Sequence, residues 1–189
     1  FGTITKTVVE TGADLVGYSG WSSSNYLEQP YNADLDFGTG DFSVMGWFQG
    51  GSALANDAIV DKADSGGDRR FQVGFNGSGG FGLYTQEGTA SSSYTTQTFL
   101  TSGAWYFGSC IRHSSGLIAI YIDGNLSASV SATSRNVTSA TGSGTTTVGG
   151  NFVHTAGFGS SLALWRISAT VPTAAQIAKI YEDEKFLFQ

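Results

Sequence analysis

Between Gly116 and Val130 the alternation of apolar and polar positions changes once, and the change marks a hairpin. Ile118, Ile120 and Ile122 alternate with Leu117, Ala119 and Tyr121, so both faces of the first strand are apolar or nearly so. Asp123, Gly124 and Asn125 follow, residues that tolerate the positive φ a tight hairpin turn demands. Beyond them Leu126, Ala128 and Val130 alternate with Ser127, Ser129 and Ser131, the pattern of a strand with one face buried. The same period of two recurs upstream. Phe42, Val44 and Phe48 alternate against Ser43, Met45 and Trp47, and Phe71, Val73 and Phe75 against Gln72 and Gly74. Phe81 to Tyr84 follows the turn Asn76 to Gly80. Trp105, Phe107 and Ile111 share one face of a further strand, with Tyr106 and Cys110 on the other, while 145–149 and 161–167 read as the last two strands. Turn signals at intervals of roughly eight to twelve residues predict an all-β sandwich or barrel. The Ser/Thr/Gly-rich stretches 86–98 and 131–144 are expected to be long surface loops.

The helical period appears once, near the C-terminus. Thr173 and Gln176 have the spacing of a capping box, and Ala174, Ile177, Ile180 and Tyr181 fall on one face, predicting a short helix over 172–185. Glu182, Asp183 and Glu184 sit where the helix dipole disfavours them. The apolar tail Phe186, Leu187 and Phe188 needs cover, either from the sandwich or from a partner. No repeat and no linker divides the chain, so one domain is expected over 1–189, with 1–19 as an N-terminal strand or lead-in.

Composition narrows the function more than the fold. Hydrophobic residues make up 40% of the 189 positions and charged residues only 13%, enough for a core and about half the usual charge content. The net charge is −6 and the nine Lys and Arg are scattered, so the basic stripe that displaces phosphate counterions is missing and nucleic acid is not an expected partner. No apolar run reaches membrane-spanning length, and membrane insertion is not expected. Cys110, the only cysteine, excludes an internal disulfide and reads as a buried, inert thiol. A start at Phe1, with no initiator Met and no signal-peptide form, reads as a piece of a longer or processed polypeptide.

In order along the chain, Tyr26-Leu-Glu28, Leu35 to Val44, Trp47-Phe48, Ile59 to Lys62, Trp105 to Arg112, Gly116 to Gly124, Val148-Gly149, Leu162 to Ile167 and Thr173 to Tyr181 resemble the laminin-G-like branch of the concanavalin A-like lectin/glucanase superfamily. The resemblance covers roughly residues 20–181. It implies a jelly-roll sandwich of two antiparallel sheets with one short C-terminal helix, often carrying a glycan or protein ligand. Asn25 to Tyr31, Leu164 to Ser168 and Gln176 to Lys185 also resemble C-terminal domains of marine bacteriophage virion proteins. That second resemblance implies a tail-fibre or surface adhesin on the virion or outside the cell. It would form a homo-oligomer, with a trimer favoured, that contacts host-surface glycan or protein. A purely structural capsid or tail decoration domain and an extracellular lectin-like domain of non-viral origin are the alternatives.

Glucanases share this sandwich, but their retaining chemistry needs two carboxylates about 5–5.5 Å apart. The family's Glu-x-Asp-x-x-Glu strand is missing; Glu10, Glu28 and Glu87 are isolated, and Asp34 and Asp36 flank a turn. His113 and His154 have no motif-linked Ser or Asp, so no enzymatic activity is expected. Laminin-G-like domains often hold calcium, which wants six to eight hard oxygens. Asp57, Asp61, Asp64 and Asp68 are the candidate ligands, although Lys62, Arg69 and Arg70 stand among them. No other cofactor is expected. Asp123 reads as a cap on its own turn. Glycan recognition would use exposed aromatics as platforms. Trp21, Tyr26, Tyr31, Tyr94, Phe152 and His154 are the candidates, with Tyr84 a further one, while Trp47, Trp105 and Trp165 read as packing. The glycosylation-type triplets at Asn76, Asn125 and Asn136 arise readily in a chain this rich in Ser and Thr.

Overall fold

Ile122 pairs directly with Asn125, which leaves Asp123 and Gly124 as a two-residue turn. Both have positive φ, 49° and 75°, as a type I′ hairpin requires. Gly124 is doubly constrained, because a Cβ there would lie 3.1 Å from the Cα of Ala178 in the C-terminal helix. Asp123 does not cap its own turn as expected; its Oδ1 accepts from the N–H of Phe107 on the preceding strand, which lies beside the hairpin in the sheet, at 2.9 Å.

The computed structural model describes residues 2–9, 14–51, 54, 56–64, 66–95, 101–139 and 142–188, the side chains of Arg69 and of 92–95 apart. In chain order the strands are β1 (Thr5–Val8), β2 (Val16–Ser19), β3 (Leu27–Pro30), β4 (Phe42–Gln49), β5 (Ala58–Ala63), β6 (Arg69–Phe75), β7 (Phe81–Glu87), β8 (Ala90–Thr95), β9 (Trp105–Arg112), β10 (Leu117–Ile122), β11 (Asn125–Ser131), β12 (Thr145–Val148) and β13 (Leu162–Ser168), followed by helix α1 (Ala174–Glu184). They form a seven-stranded sheet in the order β1-β2-β13-β4-β9-β10-β11 and a six-stranded sheet in the order β3-β12-β5-β6-β7-β8. Every pairing between named strands is antiparallel. The expected class, two antiparallel sheets and one short C-terminal helix in a concanavalin A-like jelly roll, is the observed one.

Alternation sorts the apolar residues into two clusters. Phe42, Val44, Phe48, Phe71, Val73, Phe81, Leu83, Cys110, Ile118 and Ile120 fill the space between the sheets. Burial pushes the Cys110 thiol well above its ordinary range, in keeping with an inert core group. Met45, Trp47, Phe107, Ile111, Ala119 and Tyr121 point to the opposite face of the larger sheet, where Ile177 of α1 and Phe188 cover them. The two-sided apolar strands seen in the sequence are thus strands with a core on each side. The tail tucks against its own sandwich: the Phe188 ring stacks on Trp47 at 4.1 Å, while Phe186 remains 69% exposed. The capping box forms as predicted. Glu184, poorly placed for the helix dipole, accepts from Trp47 Nε1 at 2.8 Å and from Arg166 Nη2 at 2.8 and 2.9 Å.

The two Ser/Thr-rich stretches meet the expectation of long surface loops differently: the first is largely strand, while the described residues of the second beyond Ser131 are loop but not wholly superficial. Most of 86–98 is the hairpin β7–β8, in which Ser91, Ser92 and Ser93 pair with Gln86, Thr85 and Tyr84; positions 96–98 lie outside the described residues. A backbone ladder at a sheet edge does not depend on apolar side chains. In 131–144, Val137 is fully buried and closes one end of the sandwich. Two buried cations hold that end. Arg112 donates to the carbonyls of Gly38 (2.8 Å), Gly40 (2.6 Å) and Arg135 (2.7 Å), and burial pulls its pKa down to about 10. Lys62 pairs with Asp36 and donates to Leu35 O at 2.7 Å.

Candidate ligand groove

Because Phe71, Val73, Phe75, Phe81 and Leu83 face the core, alternation turns Gln72, Gly74, Gly82 and Tyr84 to the outer face of the six-stranded sheet. Gln72 pairs with Tyr84 and Gly74 with Gly82, so a row of side chains abuts a row without any. The result is a trough of about 270 Å³ with a glycine floor. Gln72 and Tyr84 form one wall; Asn56, Asn76 and Gly77 form another, and Asn151 enters from the loop after β12. The volume falls just below the range for small-ligand clefts, about 300–1,000 Å³.

The walls are held from behind. Asn76 Oδ1 accepts from the N–H groups of Ser78 and Gly80, both at 2.9 Å, closing the turn between β6 and β7. Asn56 adopts a left-handed φ of 66°, a conformation Asn tolerates better than most, and its N–H donates to Asn76 O at 3.1 Å. The neighbouring backbone lies so close to Gly74 that a Cβ there would meet Asp57 O at 2.2 Å, so only glycine fits. Tyr84 donates its hydroxyl to Gln86 Oε1 at 2.7 Å, which fixes the phenol. Asn151 accepts from Thr155 N–H at 3.0 Å and donates to Thr155 Oγ1 at 2.9 Å. The side-chain amides of Asn56 and Gln72 make no hydrogen bond among the described residues and are available to a ligand.

Of the aromatic candidates whose side chains are described, only Tyr84 lines this groove. Trp21, expected on the surface, is a correction: it is 8% exposed, packs on Gly149 and donates its indole N–H to Tyr18 O at 3.0 Å. Tyr26 and His154 come together from β3 and the 150–159 loop, stacked at 3.9 Å with 10° between planes. His154 Nε2 lies 3.3 Å from Glu28 Oε2, so the pair is tied into the protein rather than presented as a bare platform. Phe152 donates its N–H to Asp61 Oδ2 at 3.2 Å and lies against Gly67. Tyr31 is exposed at the far end of β3, its hydroxyl donating to Asp36 Oδ2 at 3.0 Å. The backbone of Tyr94 pairs with Leu83, but its side chain lies outside the described residues. Trp47, Trp105 and Trp165 pack as predicted, with Trp165 turned across Gly46 by a bulge in β13.

The four aspartates do not converge. Asp64 pairs with Arg70 and accepts from Gly66 N–H (3.2 Å) and Asp68 N–H (3.1 Å). Its burial works against the charged form, but Arg70 and those two N–H groups bring the carboxyl below its ordinary range. Asp57 accepts from Gly159 N–H at 2.8 Å, and burial raises its carboxyl above the usual value. Asp61 is fully buried and held by the Phe152 N–H. Among the described residues, no group of three or more His, Cys, Asp or Glu could hold a metal ion, so this donor set does not fit calcium.

Sequence reading missed Asn56, Gln72, Asn76 and Asn151. Only the glycines at 74 and 82, on the polar faces of two consecutive strands, hinted at a gap in that surface.

A family model described as the concanavalin A-like lectin/glucanases superfamily, of the laminin G type, matches residues 22–178. No curated protein matches the sequence. Domain 4 of AbnA, a GH43 extracellular arabinanase from Geobacillus stearothermophilus, was solved in complex with arabinotriose. It superposes with a TM-score of 0.70 at 16% identity, over 96% of this chain and 82% of that one. The CBM40 of the Ruminococcus gnavus IT-sialidase gives 0.65 at 13%, over 82% and 98%. The binding domain of botulinum neurotoxin DC in complex with SialylT gives 0.67 at 15%, over 96% and 44%. The chain thus spans less than half the length of that toxin domain, as it does of several other matches. At such identities the likeness is one of fold.

Proposed function

Since the chain belongs to the concanavalin A-like lectin/glucanases superfamily, we propose that it is a non-catalytic module that binds carbohydrate in the groove on the open face of its six-stranded sheet. The observation that carries this reading is the groove's lining: side-chain amides and a phenol around a glycine floor, with two of the amides unengaged among the described residues. A sugar hydroxyl both donates and accepts, and so does an amide, so the two match without a charge on either side. The Tyr84 ring adds an apolar surface for a sugar's C–H face. No carboxylate stands among the described lining residues, so the acid and nucleophile of glycoside hydrolysis have no counterpart there. The carbohydrate-associated neighbours, an arabinanase domain bound to arabinotriose and a sialidase CBM40, support the same reading through the shared fold.

For its setting, the resemblance to virion proteins supports the surface of a phage particle, in a homo-oligomer of trimeric form, touching host-surface glycan or protein. Many weak grooves displayed together then adhere through avidity. A glycan array probed with the multimerised chain, beside Gln72→Ala and Tyr84→Ala variants of unchanged melting temperature, tests the reading. Binding lost in both variants supports it. Binding that both variants keep assigns the groove no such role, and absence of binding by the parent leaves a structural decoration domain in its place.

A further inference from the structure

Resting on the carbohydrate reading above, we infer that the groove selects neutral sugars and turns away acidic ones, whether sialylated, sulfated or uronate-bearing. The described lining residues carry no charge at all: Asn56, Gln72, Asn76, Tyr84 and Asn151 supply every polar side chain. An anionic sugar entering this trough would leave water without meeting the cation that normally repays its desolvation. Arg70, two residues before Gln72 on β6, is already committed to Asp64, with both side chains buried. Lys62 on the adjacent β5 points into the closed end of the sandwich and is bound to Asp36 and Leu35 O.

The chain as a whole carries −6, a background that does not favour an entering anion. The amides impose no such penalty on a neutral hydroxyl, with which they can pair. Discrimination therefore comes from the lack of a cation among the described lining side chains.

The test uses the full chain on an array that pairs neutral oligosaccharides with their sialylated, sulfated and uronate counterparts, followed by calorimetry on the strongest neutral hit and its acidic partner. The expected result is binding confined to the neutral members, with the acidic partner at least about tenfold weaker. Affinity for the neutral hit should change less than about twofold between low and high salt, because no ion pair is screened. In Gln72→Lys, chosen because the parent amide has no partner among the described residues to lose, the acidic counterpart should gain at least about tenfold relative to the parent chain. Equal or tighter binding of acidic members overturns the selectivity while leaving the carbohydrate reading intact. A Gln72→Lys variant that folds but gains nothing also overturns it. An array with no hits removes the carbohydrate reading and this inference together.

Discussion

The two sheets of this sandwich share one core but treat their outer faces in opposite ways. The seven-stranded sheet sends Met45, Trp47, Phe107, Ile111 and Tyr121 outward, and α1 with Phe188 seals them. The six-stranded sheet sends Gln72, Gly74, Gly82 and Tyr84 outward and leaves them open. An apolar outer face forces the chain to spend its C-terminal segment on covering it. A polar, glycine-notched face needs no cover and can meet a ligand. The architecture thus separates a sealed apolar face from an open polar face, to which the proposed ligand groove belongs, on opposite sides of a common core.

Substitutions on the two faces should therefore have different signatures. Trp47 is fully buried, stacks on Phe188 and donates to Glu184, so Trp47→Ala should cost roughly 3–5 kcal/mol by urea denaturation. Glycan affinity per folded molecule should stay unchanged; a matching loss of affinity would show that the faces are coupled. On the smaller sheet the closed end answers to acid. The Asp64 carboxyl is held below its ordinary value, near about 4, so its contribution is complete above that pH and disappears as pH falls through the lowered folded value. Asp64→Asn should accordingly give a shallower decline of melting temperature as pH falls below about 4, and an unchanged slope would deny the carboxylate that role. Thr173→Ala removes one half of the capping box at the start of the covering helix. The expected loss is about 1 kcal/mol, read by thermal melting, with no effect at the groove. Gln72→Ala, whose amide has no intramolecular partner among the described residues, should shift stability by less than about 0.5 kcal/mol. It should nonetheless weaken sugar binding about three- to tenfold, the value of one hydrogen bond.

Much of the scaffold was legible before any coordinates. The Asp123-Gly124 turn, the alternation in β4, β9 and β10 and the Thr173–Gln176 box are local signals, and each formed as read. The misreadings share a cause. Ser91 to Ser93 looked like a loop because their side chains are polar, yet strand pairing is made by backbone groups that every residue carries. Val137 looked superficial because its neighbours are polar, but it closes the sandwich where Lys62 and Arg112 absorb the carbonyls of the irregular chain around it. Trp21 looked exposed among serines, and Gly149 gave it a place to lie flat.

The groove was the least legible part. Asn56, Gln72, Asn76, Tyr84 and Asn151 come from separate segments and match no motif. By itself the sequence determined the strand period, the turn chemistry and the capped helix, because those depend on neighbours a few residues apart. Only the tertiary structure decided which apolar face α1 would seal, how Asp64 and Arg70 would neutralise each other, and where amides from distant loops would surround a floor of glycine. Those outcomes depend on pairing and packing between segments far apart in the chain, and no local spacing encodes them.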